Sequence, residues 1–168
     1  MTTEKPSLNW GHINVNVANL ERSIAFYQKL GFEVFIPAIP YIGLDSAPGE
    51  KPLPDDSATA LGIQQGTKGR ACIMQLGDGF PKLDLTEFSG LDQAAPLTNS
   101  DRGLVRICLA SDDLARDVQR LKADGVEFLT EPKAGHAGLA DIAVCKDPDG
   151  TLIELLQVYL ERWQAVLS

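Results

Sequence analysis

A histidine and a glutamate stand in strand-like segments near the two ends of this chain. His12 lies in "GHINVNV" and Glu154 lies in "LIELLQV", and in both segments most of the neighbouring residues are apolar. Imidazole and carboxylate side chains are costly on a buried strand face unless a partner satisfies them. Three kinds of partner would satisfy this pair: a metal ion, a substrate, or the other residue of the pair.

The composition is that of an ordinary globular protein and excludes several classes of partner. The 168 residues are 44% hydrophobic and 23% charged, with a net charge of −8. An acidic chain does not suit a nucleic-acid backbone, which requires a basic face. The start "MTTEKPSLNW" does not resemble a secretory signal, and no apolar run approaches the ~18 residues of a membrane span. We therefore expect a soluble, cytoplasmic protein with buried, reduced thiols at Cys72, Cys108 and Cys145.

The chain contains an internal repeat. The segment "HINVNVANLERSIAFYQKLGFEVF" aligns without a gap with "RICLASDDLARDVQRLKADGVEFL". Each copy starts with an alternating strand, continues with an amphipathic helix and ends that helix with a glycine, Gly31 or Gly125. Asn19 in the first copy and Asp112 or Asp113 in the second are the predicted helix caps. A second strand follows in each copy, at residues 32–35 and 126–129.

Each copy then continues into a hairpin. The first is "GRACIMQLGDGFPKLDLTEF", with its turn near Asp78, and the second is "LADIAVCKDPDGTLIELLQV", with its turn at residues 148–150. Each module is therefore predicted as one strand, one helix and three strands. Because one such module cannot cover both faces of its sheet, two modules must bury something together. The predicted fold class is α+β, built from two βαβββ modules.

The two modules differ by one long insertion. Module one covers residues 10–90 and contains the insertion at 37–69, which holds half of the ten prolines; module two covers 103–158. Segments of this length are binding loops or lids, or else surface insertions, and the sequence leaves both open. A short helix, Asp56 to Ile63 with Ser57 as its cap, is predicted inside the insertion. A C-terminal helix at 159–167 completes a single predicted domain, 1–168.

The opening segment and the ending "KDPDGTLIELLQV" resemble the two ends of a vicinal oxygen chelate protein. This superfamily contains glyoxalase I, methylmalonyl-CoA epimerase, extradiol dioxygenases, and fosfomycin- and bleomycin-resistance proteins. The resemblance covers residues 10 to about 158, with an unusually long 37–69 segment. It implies a curved, half-open barrel sheet around one cavity, and it also implies a homodimer. The function is left open, because the superfamily includes several kinds of enzyme and non-catalytic binders.

The resemblance also implies a set of site residues. In metal-dependent members the first and last strands of each module each provide one inward ligand. The matching positions are His12, Asp84 in "KLDLTEF", Glu154 and Arg106. Strand alternation supports this placement, because with Ile13, Val15 and Val17 on one face, His12, Asn14 and Asn16 share the other. We therefore expect a polar cavity lined by His12, Asn14, Asp84, Arg106 and Glu154.

Arg106 separates the two chemical hypotheses for this cavity. In the first, His12, Asp84 and Glu154 hold a divalent metal that polarises a chelated substrate. Arg106 opposes this, since a unit charge about 4 Å from a dication costs ~8 kcal/mol at an effective dielectric of ~20, and a guanidinium offers no lone pair. In the second, no metal is bound, and Arg106 neutralises the two carboxylates or holds a substrate oxyanion.

The favoured prediction is a small-molecule lyase or isomerase of the glyoxalase type, acting without a metal on vicinal oxygens or an enolisable carbonyl. Its predicted catalytic residues are His12, Arg106 and Glu154, with His12 or Glu154 as the general base. The predicted substrate-binding residues are Asn14, Asp84, Arg106 and His136, the last from the loop before the second hairpin. The alternative is a non-catalytic small-molecule-binding protein of resistance or sequestering type. A charge network without any ligand is the third possibility.

Overall fold

The computed structural model describes residues 6–167, with the backbone alone for 165–167. Residue 1 and residue 168, the ends of the predicted domain, lie outside this range. The described chain divides into two compact units. Unit 1 comprises the described residues up to Ile24 together with Gly31–Leu91, and unit 2 comprises Ala25–Leu30 together with the described residues from Asp92 onward. The single-domain assignment stays a prediction.

Unit 1 holds the first module and its insertion. Its described strands and helices are β1 (His12–Asn16), the first half of α1 (Leu20–Lys29), β2 (Glu33–Ile36), β3 (Ala38–Ile39), β4 (Leu44–Asp45), β5 (Lys51–Pro52), α2 (Asp55–Leu61), β6 (Lys68–Gln75) and β7 (Lys82–Ser89). The main sheet of the described residues has the order β1-β7-β6-β2, with β5 also paired to β6. Within it, β1 runs parallel to β7, while β6 runs antiparallel to both β7 and β2.

Unit 2 repeats this arrangement without the insertion. Its elements, besides the second half of α1, are β8 (Arg106–Ala110), α3 (Leu114–Ala123), β9 (Lys133–Ala134), β10 (Ala140–Lys146), β11 (Leu152–Val158) and α4 (Leu160–Leu167). The strand order is β8-β11-β10-β9, again with the first strand parallel to the last. The α+β class and the two βαβββ modules are thus confirmed.

The strand registers show how closely the two modules correspond. Asn14 lies opposite Asp84 between β1 and β7, and Cys108 lies opposite Glu154 between β8 and β11. The ungapped repeat aligns Asn14 with Cys108, so the two carboxylates occupy equivalent places in their own sheets. Each helix also ends as predicted, because Gly31 and Gly125 have φ values of 96° and 80°, which favour glycine.

The predicted helix caps have mixed outcomes. Asn19 Oδ1 accepts from Arg22 N at 2.8 Å, and Asp113 Oδ1 accepts from Arg116 N at 3.1 Å, so both caps are confirmed and Asp113 replaces Asp112. The Ser57 cap is wrong. The short helix begins earlier, at Asp55, after Pro54, whose ring presets a φ of −54° at this boundary.

Two further predictions are corrected by the structure. Residues 126–129 do not form a continuous second strand in module two, since their pairing is a single bridge between Phe128 and Cys145. Cys108 is exposed, whereas Cys72 and Cys145 are buried as expected. Cys108 shares the exposed alternating face of β8 with Arg106, which explains the difference.

The insertion builds a core of its own on the sheet of unit 1. Five of its residues are buried against Ala71 and Ile73 of β6; they are Ile39, Ile42, Leu44, Leu53 and Ala58. Apolar burial of this kind contributes about 1.5–3 kcal/mol for each large side chain. The insertion is therefore a packed part of unit 1.

In the described part of the chain, no helix has the length and apolar character needed to cross a membrane.

Candidate functional site

A cavity of about 250 Å³ lies in unit 1, between the β1–β7 strand pair and the insertion. Its strand side is mainly polar and its insertion side is mainly apolar. The strand side consists of His12, Asn14, Asn16, Asp84, Thr86 and Phe88, and the insertion side consists of Ile39, Tyr41, Ile42, Leu61 and Ile63. One wall therefore offers hydrogen bonds and the other offers apolar contact, as in most small-molecule sites.

The parallel pairing of β1 and β7 places the polar side chains together. Asn14 lies opposite Asp84 and Asn16 lies opposite Thr86. Asn14 Nδ2 donates to Asn16 Oδ1 at 3.0 Å and to Thr86 Oγ1 at 3.2 Å, and Thr86 Oγ1 donates to Asn16 Oδ1 at 2.5 Å. These three residues hydrogen-bond one another, which holds the strand side of the cavity in one arrangement.

Asp84, Tyr41 and His12 form a second polar group in the same cavity. The Tyr41 hydroxyl donates to Asp84 Oδ2 at 2.5 Å, and His12 Nδ1 lies 3.6 Å from the same carboxylate oxygen. Tyr41 Oη is 3.4 Å from His12 Nδ1, and the two rings are stacked with centroids 6.0 Å apart. Because Nδ1 faces the acid and the phenol, Nε2 is the ring nitrogen left to exchange a proton with a ligand.

Asp84 is a buried carboxylate with an incomplete set of partners. It is 2% exposed, and its Oδ1 is out of contact with solvent and has no hydrogen-bond partner among the described residues. An unsatisfied buried acceptor atom costs about 1–3 kcal/mol, and more when its group is charged. Asp84 is therefore placed at a cost to stability, which is common at functional sites and rare in a core.

The hydroxyl of Tyr41 stays protonated over the whole physiological range. Burial of the hydroxyl end, together with the hydrogen bond and negative charge of Asp84, raises the pKa of Tyr41 well above its usual value near 10. Tyr41 as a whole is nevertheless 61% exposed, since it stands at the tip of the β3–β4 hairpin. Tyr41 is consequently a hydrogen-bond donor whose side chain is only partly packed against the protein.

Local backbone geometry explains how Tyr41 reaches the cavity. Pro40–Ile42 forms a short 3-10 helix between β3 and β4, and Gly43 ends it with a φ of 75°. A Cβ at Gly43 would lie 2.7 Å from Cγ of Pro54, so this position requires glycine for both conformation and space. The sharp turn directs Tyr41 towards Asp84 while its neighbours Ile39 and Ile42 enter the insertion core.

A buried arginine fastens the end of the same hairpin. Arg70 is 8% exposed; its Nε donates to the Ala47 carbonyl at 3.0 Å and its Nη2 donates to the Ser46 carbonyl at 2.7 Å. It also forms a bidentate pair with Glu21 at the start of α1. This pairing lowers the pKa of Glu21 through the hydrogen bonds from Arg70. Arg70 thus connects β6, the helix and the segment that carries Tyr41.

The other predicted site residues lie in unit 2. Arg106 Nε pairs with Glu154 Oε2, and Arg106 Nη1 donates to Asn99 Oδ1 at 3.0 Å. Cys108 Sγ is 3.8 Å from Glu154 Oε1; partial desolvation of the sulfur and the neighbouring carboxylate raise the pKa of this thiol. His136 is exposed in a short 3-10 helix. The structure therefore gathers His12, Asn14 and Asp84 in unit 1, and it pairs Arg106 with Glu154 in unit 2.

The unit 1 cavity offers few side chains that can bind a metal. Among residues 6–167, the histidine, cysteine, aspartate and glutamate side chains form no group of three or more that could hold a metal ion. In the unit 1 cavity, His12 and Asp84 are two donors, and Tyr41 occupies one oxygen of the acid. Zinc sites use three or four protein donors, so the unit 1 cavity alone does not complete a zinc site. The set His12, Asp84 and Glu154 stays a prediction.

Three residues that bring polar groups to the cavity were missing from the predicted site: Asn16, Tyr41 and Thr86. Asn16 and Thr86 carried a signal, because they follow His12 and Asp84 with the period of two that defines one strand face. Tyr41 carried a weaker one, since a tyrosine in a proline-rich insertion has many surface explanations. Its contact with Asp84 depends on the folded path of the insertion, which has no local sequence signature.

Comparison with known proteins agrees with this fold. A family model described as Glyoxalase/Bleomycin resistance protein/Dioxygenase superfamily matches residues 9–155. No curated protein matches the chain significantly. The chain is similar in structure to a glyoxalase family protein from Bacillus cereus, with a TM-score of 0.71 and 17% identity over 94% of this chain and 98% of the other.

Two further solved structures represent different activities on the same fold. The trypanothione-dependent glyoxalase I of Leishmania major matches with a TM-score of 0.60 and 21% identity, over 96% of this chain and 94% of that chain. A bleomycin resistance determinant encoded on transposon Tn5 matches with a TM-score of 0.51 and 23% identity, over 90% and 98%. At these identities the likeness establishes the fold alone.

Proposed function

The chain belongs to the Glyoxalase/Bleomycin resistance protein/Dioxygenase superfamily, and we propose that it is a small-molecule lyase or isomerase whose chemistry takes place in the unit 1 cavity. The proposed substrate has an enolisable carbonyl or vicinal oxygens. No step of the proposed reaction passes through a metal, because the donors in the cavity do not form a metal-binding set. Stoichiometric metal in protein purified without an affinity tag, lost in His12→Ala, would contradict this part.

One observation carries the proposal. His12, Tyr41 and Asp84 contact one another on the wall of a single cavity, within 2.5 to 3.6 Å. A base oriented by a buried carboxylate, beside a protonated hydroxyl, is the arrangement that general acid–base catalysis requires. The remainder of the cavity provides a satisfied polar strip for recognition and an apolar wall for the substrate body.

The proposed step is a proton transfer next to a carbonyl. His12 Nε2 removes the proton from the carbon beside the carbonyl. The electron pair of that C–H bond forms the new carbon–carbon double bond, and the π pair of the carbonyl moves to its oxygen, which gives an enolate. The Tyr41 hydroxyl turns from Asp84 Oδ2 to that oxygen and donates a hydrogen bond that stabilises the developing charge. Return of the proton to the same carbon or to a neighbouring one gives isomerisation. Departure of a group from the adjacent carbon gives elimination.

The test follows the proton directly. Hydroxyacetone has a neighbouring carbonyl and hydroxyl, and exchange of its C–H protons in deuterated water is visible by proton NMR. We expect the protein to accelerate this exchange, and His12→Gln to reduce the acceleration by about 10²–10⁴, the usual contribution of a general base. Asp92→Asn, at an exposed position outside the cavity, is the control and should retain the rate. Equal rates for wild type and His12→Gln would overturn the proposal.

A second candidate is a non-catalytic small-molecule binder. It is favoured by the strand side of the cavity, where Asn14, Asn16 and Thr86 satisfy one another and offer recognition without chemistry. The same NMR samples separate the two candidates. Saturable binding in the cavity, with no acceleration of exchange by the wild type, would favour the binder.

Several site and assembly assignments belong to the same proposal. We propose catalytic roles for Arg106 and Glu154 and substrate contacts for Asn14 and His136, as the family resemblance implies. We also propose a homodimer and a cytoplasmic location. Analytical sedimentation at several protein concentrations tests the homodimer. Loss of exchange activity in Glu154→Gln, with the fold intact, tests the role of the glutamate.

A further inference from the structure

We propose that the unit 1 cavity binds a small molecule that presents a protonated amine to Asp84 and a compact apolar body to the insertion. This inference rests on the proposed function only in using the same cavity, and it names the class of ligand. It applies equally to an enzyme and to a binder. Its basis is the way in which the protein partners its buried charges.

Asp84 differs sharply from the other buried aspartate of the described chain. Asp147 is 4% exposed, and its carboxylate accepts from Asp149 N at 2.9 Å, from Thr151 N at 2.8 Å and from the Tyr27 hydroxyl at 3.0 Å. Asp84 is 2% exposed and accepts one hydrogen bond, from the Tyr41 hydroxyl, with His12 Nδ1 3.6 Å from the same oxygen and Oδ1 unpartnered. Three donors from the core hold the Asp147 carboxylate as a structural group. The one hydrogen-bond donor of Asp84 belongs to a largely exposed residue, so a cationic ligand can take its place.

The cavity contains no permanent cation to compensate this charge. Among the described residues that line it, none is lysine or arginine, and His12 is the one basic side chain. Two basic side chains of β6 and β7 already have other partners: Lys82 Nζ donates to Gln75 Oε1 at 2.8 Å, and Arg70 donates to Glu21 and to two backbone carbonyls. An ammonium group neutralises Asp84, whereas an anionic head group is repelled by it.

Tyr41 marks the place where the amine binds. Its hydroxyl already donates to Oδ2, so an N–H of the ligand would make the same contact from the same side. Because residue Tyr41 is 61% exposed, its side chain can turn aside without the loss of core packing that moving Ile39 or Ile42 would cause. The hydroxyl released from Asp84 is then available to a carbonyl oxygen of the same ligand. Amine binding and the proposed proton transfer are therefore compatible.

The apolar wall limits the rest of the ligand. Four aliphatic side chains of the insertion and Phe88 of β7 face the same cavity as Asp84; they are Ile39, Ile42, Leu61 and Ile63. A cavity of about 250 Å³ accepts a body of roughly one six-membered ring and its amine. We therefore infer a ligand with one small apolar group close to its ammonium.

The test uses three probes of matched shape at neutral pH: cyclohexylamine, cyclohexanol and cyclohexanecarboxylate. Binding is followed by 1H–15N NMR shifts of the β1 and β7 amides in the full chain. We expect the amine to bind at least tenfold more tightly than the alcohol, and the carboxylate to bind weakest. Asp84→Asn should remove the preference for the amine, and Asp92→Asn, at an exposed position outside the cavity, should keep it. Tyr41→Phe should tighten amine binding, because the competing donor is gone.

Four results would each overturn the inference. These are carboxylate binding as tight as the amine, an amine preference that persists in folded Asp84→Asn, weaker amine binding in Tyr41→Phe, and no shifts in the cavity with any probe. The probe order in wild type and the Tyr41→Phe result need no Asp84 variant, so they hold even if that variant misfolds. The hydroxyacetone exchange assay is independent of all three probes. Failure of the enzyme proposal is therefore distinguishable from failure of this one.

Discussion

Replacing Asp84 by asparagine should stabilise the protein, although most substitutions at buried sites destabilise. The change removes a negative charge at a position that is 2% exposed and has one unpartnered oxygen. Asparagine keeps an oxygen that accepts the Tyr41 hydroxyl. That oxygen lies at the Oδ2 position, 3.6 Å from His12 Nδ1, and the amide N–H2 takes the buried Oδ1 position.

The expected gain follows from the cost of the unpartnered group. An unsatisfied buried polar atom costs about 1–3 kcal/mol, and more when the group is charged; the unpartnered N–H2 of asparagine returns part of that cost. A net gain of ~1 kcal/mol remains. For a chain of this size, 1 kcal/mol corresponds to about 2–4 °C in Tm.

The same substitution at Asp147 is the matched control and should have the opposite sign. Asp147 accepts two backbone N–H groups and one hydroxyl, so losing its charge weakens three hydrogen bonds. Asp147→Asn should cost about 1–3 kcal/mol. Urea unfolding at neutral pH, followed by fluorescence and circular dichroism, measures both changes. A loss of stability in Asp84→Asn equal to that in Asp147→Asn would refute the view that Asp84 is placed at a cost.

Three further predictions address the tyrosines, the insertion and the unit 2 ion pair. Burial or hydrogen bonding to aspartate raises the pKa of all three tyrosines, Tyr27, Tyr41 and Tyr159. A raised pKa in the folded protein contributes stability below the unfolded pKa near 10, and this stability is lost as the pH rises further. The phenolate absorbance of the folded protein should therefore appear at higher pH than that of the urea-unfolded chain, and the free energy of unfolding should fall above pH ~10. Coincident titration curves would contradict this. Arg70→Met should lower the free energy of unfolding by ~2–3 kcal/mol and speed proteolysis within residues 37–69, because two backbone carbonyls and Glu21 lose their donor. Arg70→Lys should recover part of the lost stability. Unchanged cleavage of Arg70→Met would show that Arg70 does not hold this segment in place. If Arg106 holds an oxyanion, Arg106→Met should reduce turnover by about 10²–10³. Adding Glu154→Gln removes the carboxylate that has lost its partner, so the double variant should regain stability without activity. A stable, fully active double variant would show that the ion pair has a structural role only.

The repeat in the sequence was sufficient to predict the fold class and both modules, because period-two strands and capped helices are local signals. The alternation "HINVN" likewise predicted which side chains share a face, and the burial pattern of β1 confirms it. The cavity wall formed by the insertion was less predictable. Its burial depends on contacts between residues 37–69 and β6, which no local pattern in a proline-rich segment specifies. The contact between Tyr41 and Asp84 could not be predicted for the same reason.

The short second strand of module two illustrates a different limit. Residues 126–129 resemble residues 32–35 in sequence, yet they contribute one bridge, Phe128 with Cys145. Strand length is a property of the pairing partner as well as of the segment. The 93° φ at Gly150, in contrast, could be predicted, because the turn residues "DPDG" require it locally.

The division of the unit 1 cavity between strands and insertion has an evolutionary consequence. The groups capable of proton transfer stand mostly on β1 and β7, whereas the side chains that set shape come mostly from one continuous insertion. Mutations in residues 37–69 can therefore alter which molecules fit while the reactive groups on the strands stay in place. A segment with its own core tolerates such changes better than an unpacked loop. Descendants of this chain could acquire new ligands by exchanging a single stretch of about thirty residues.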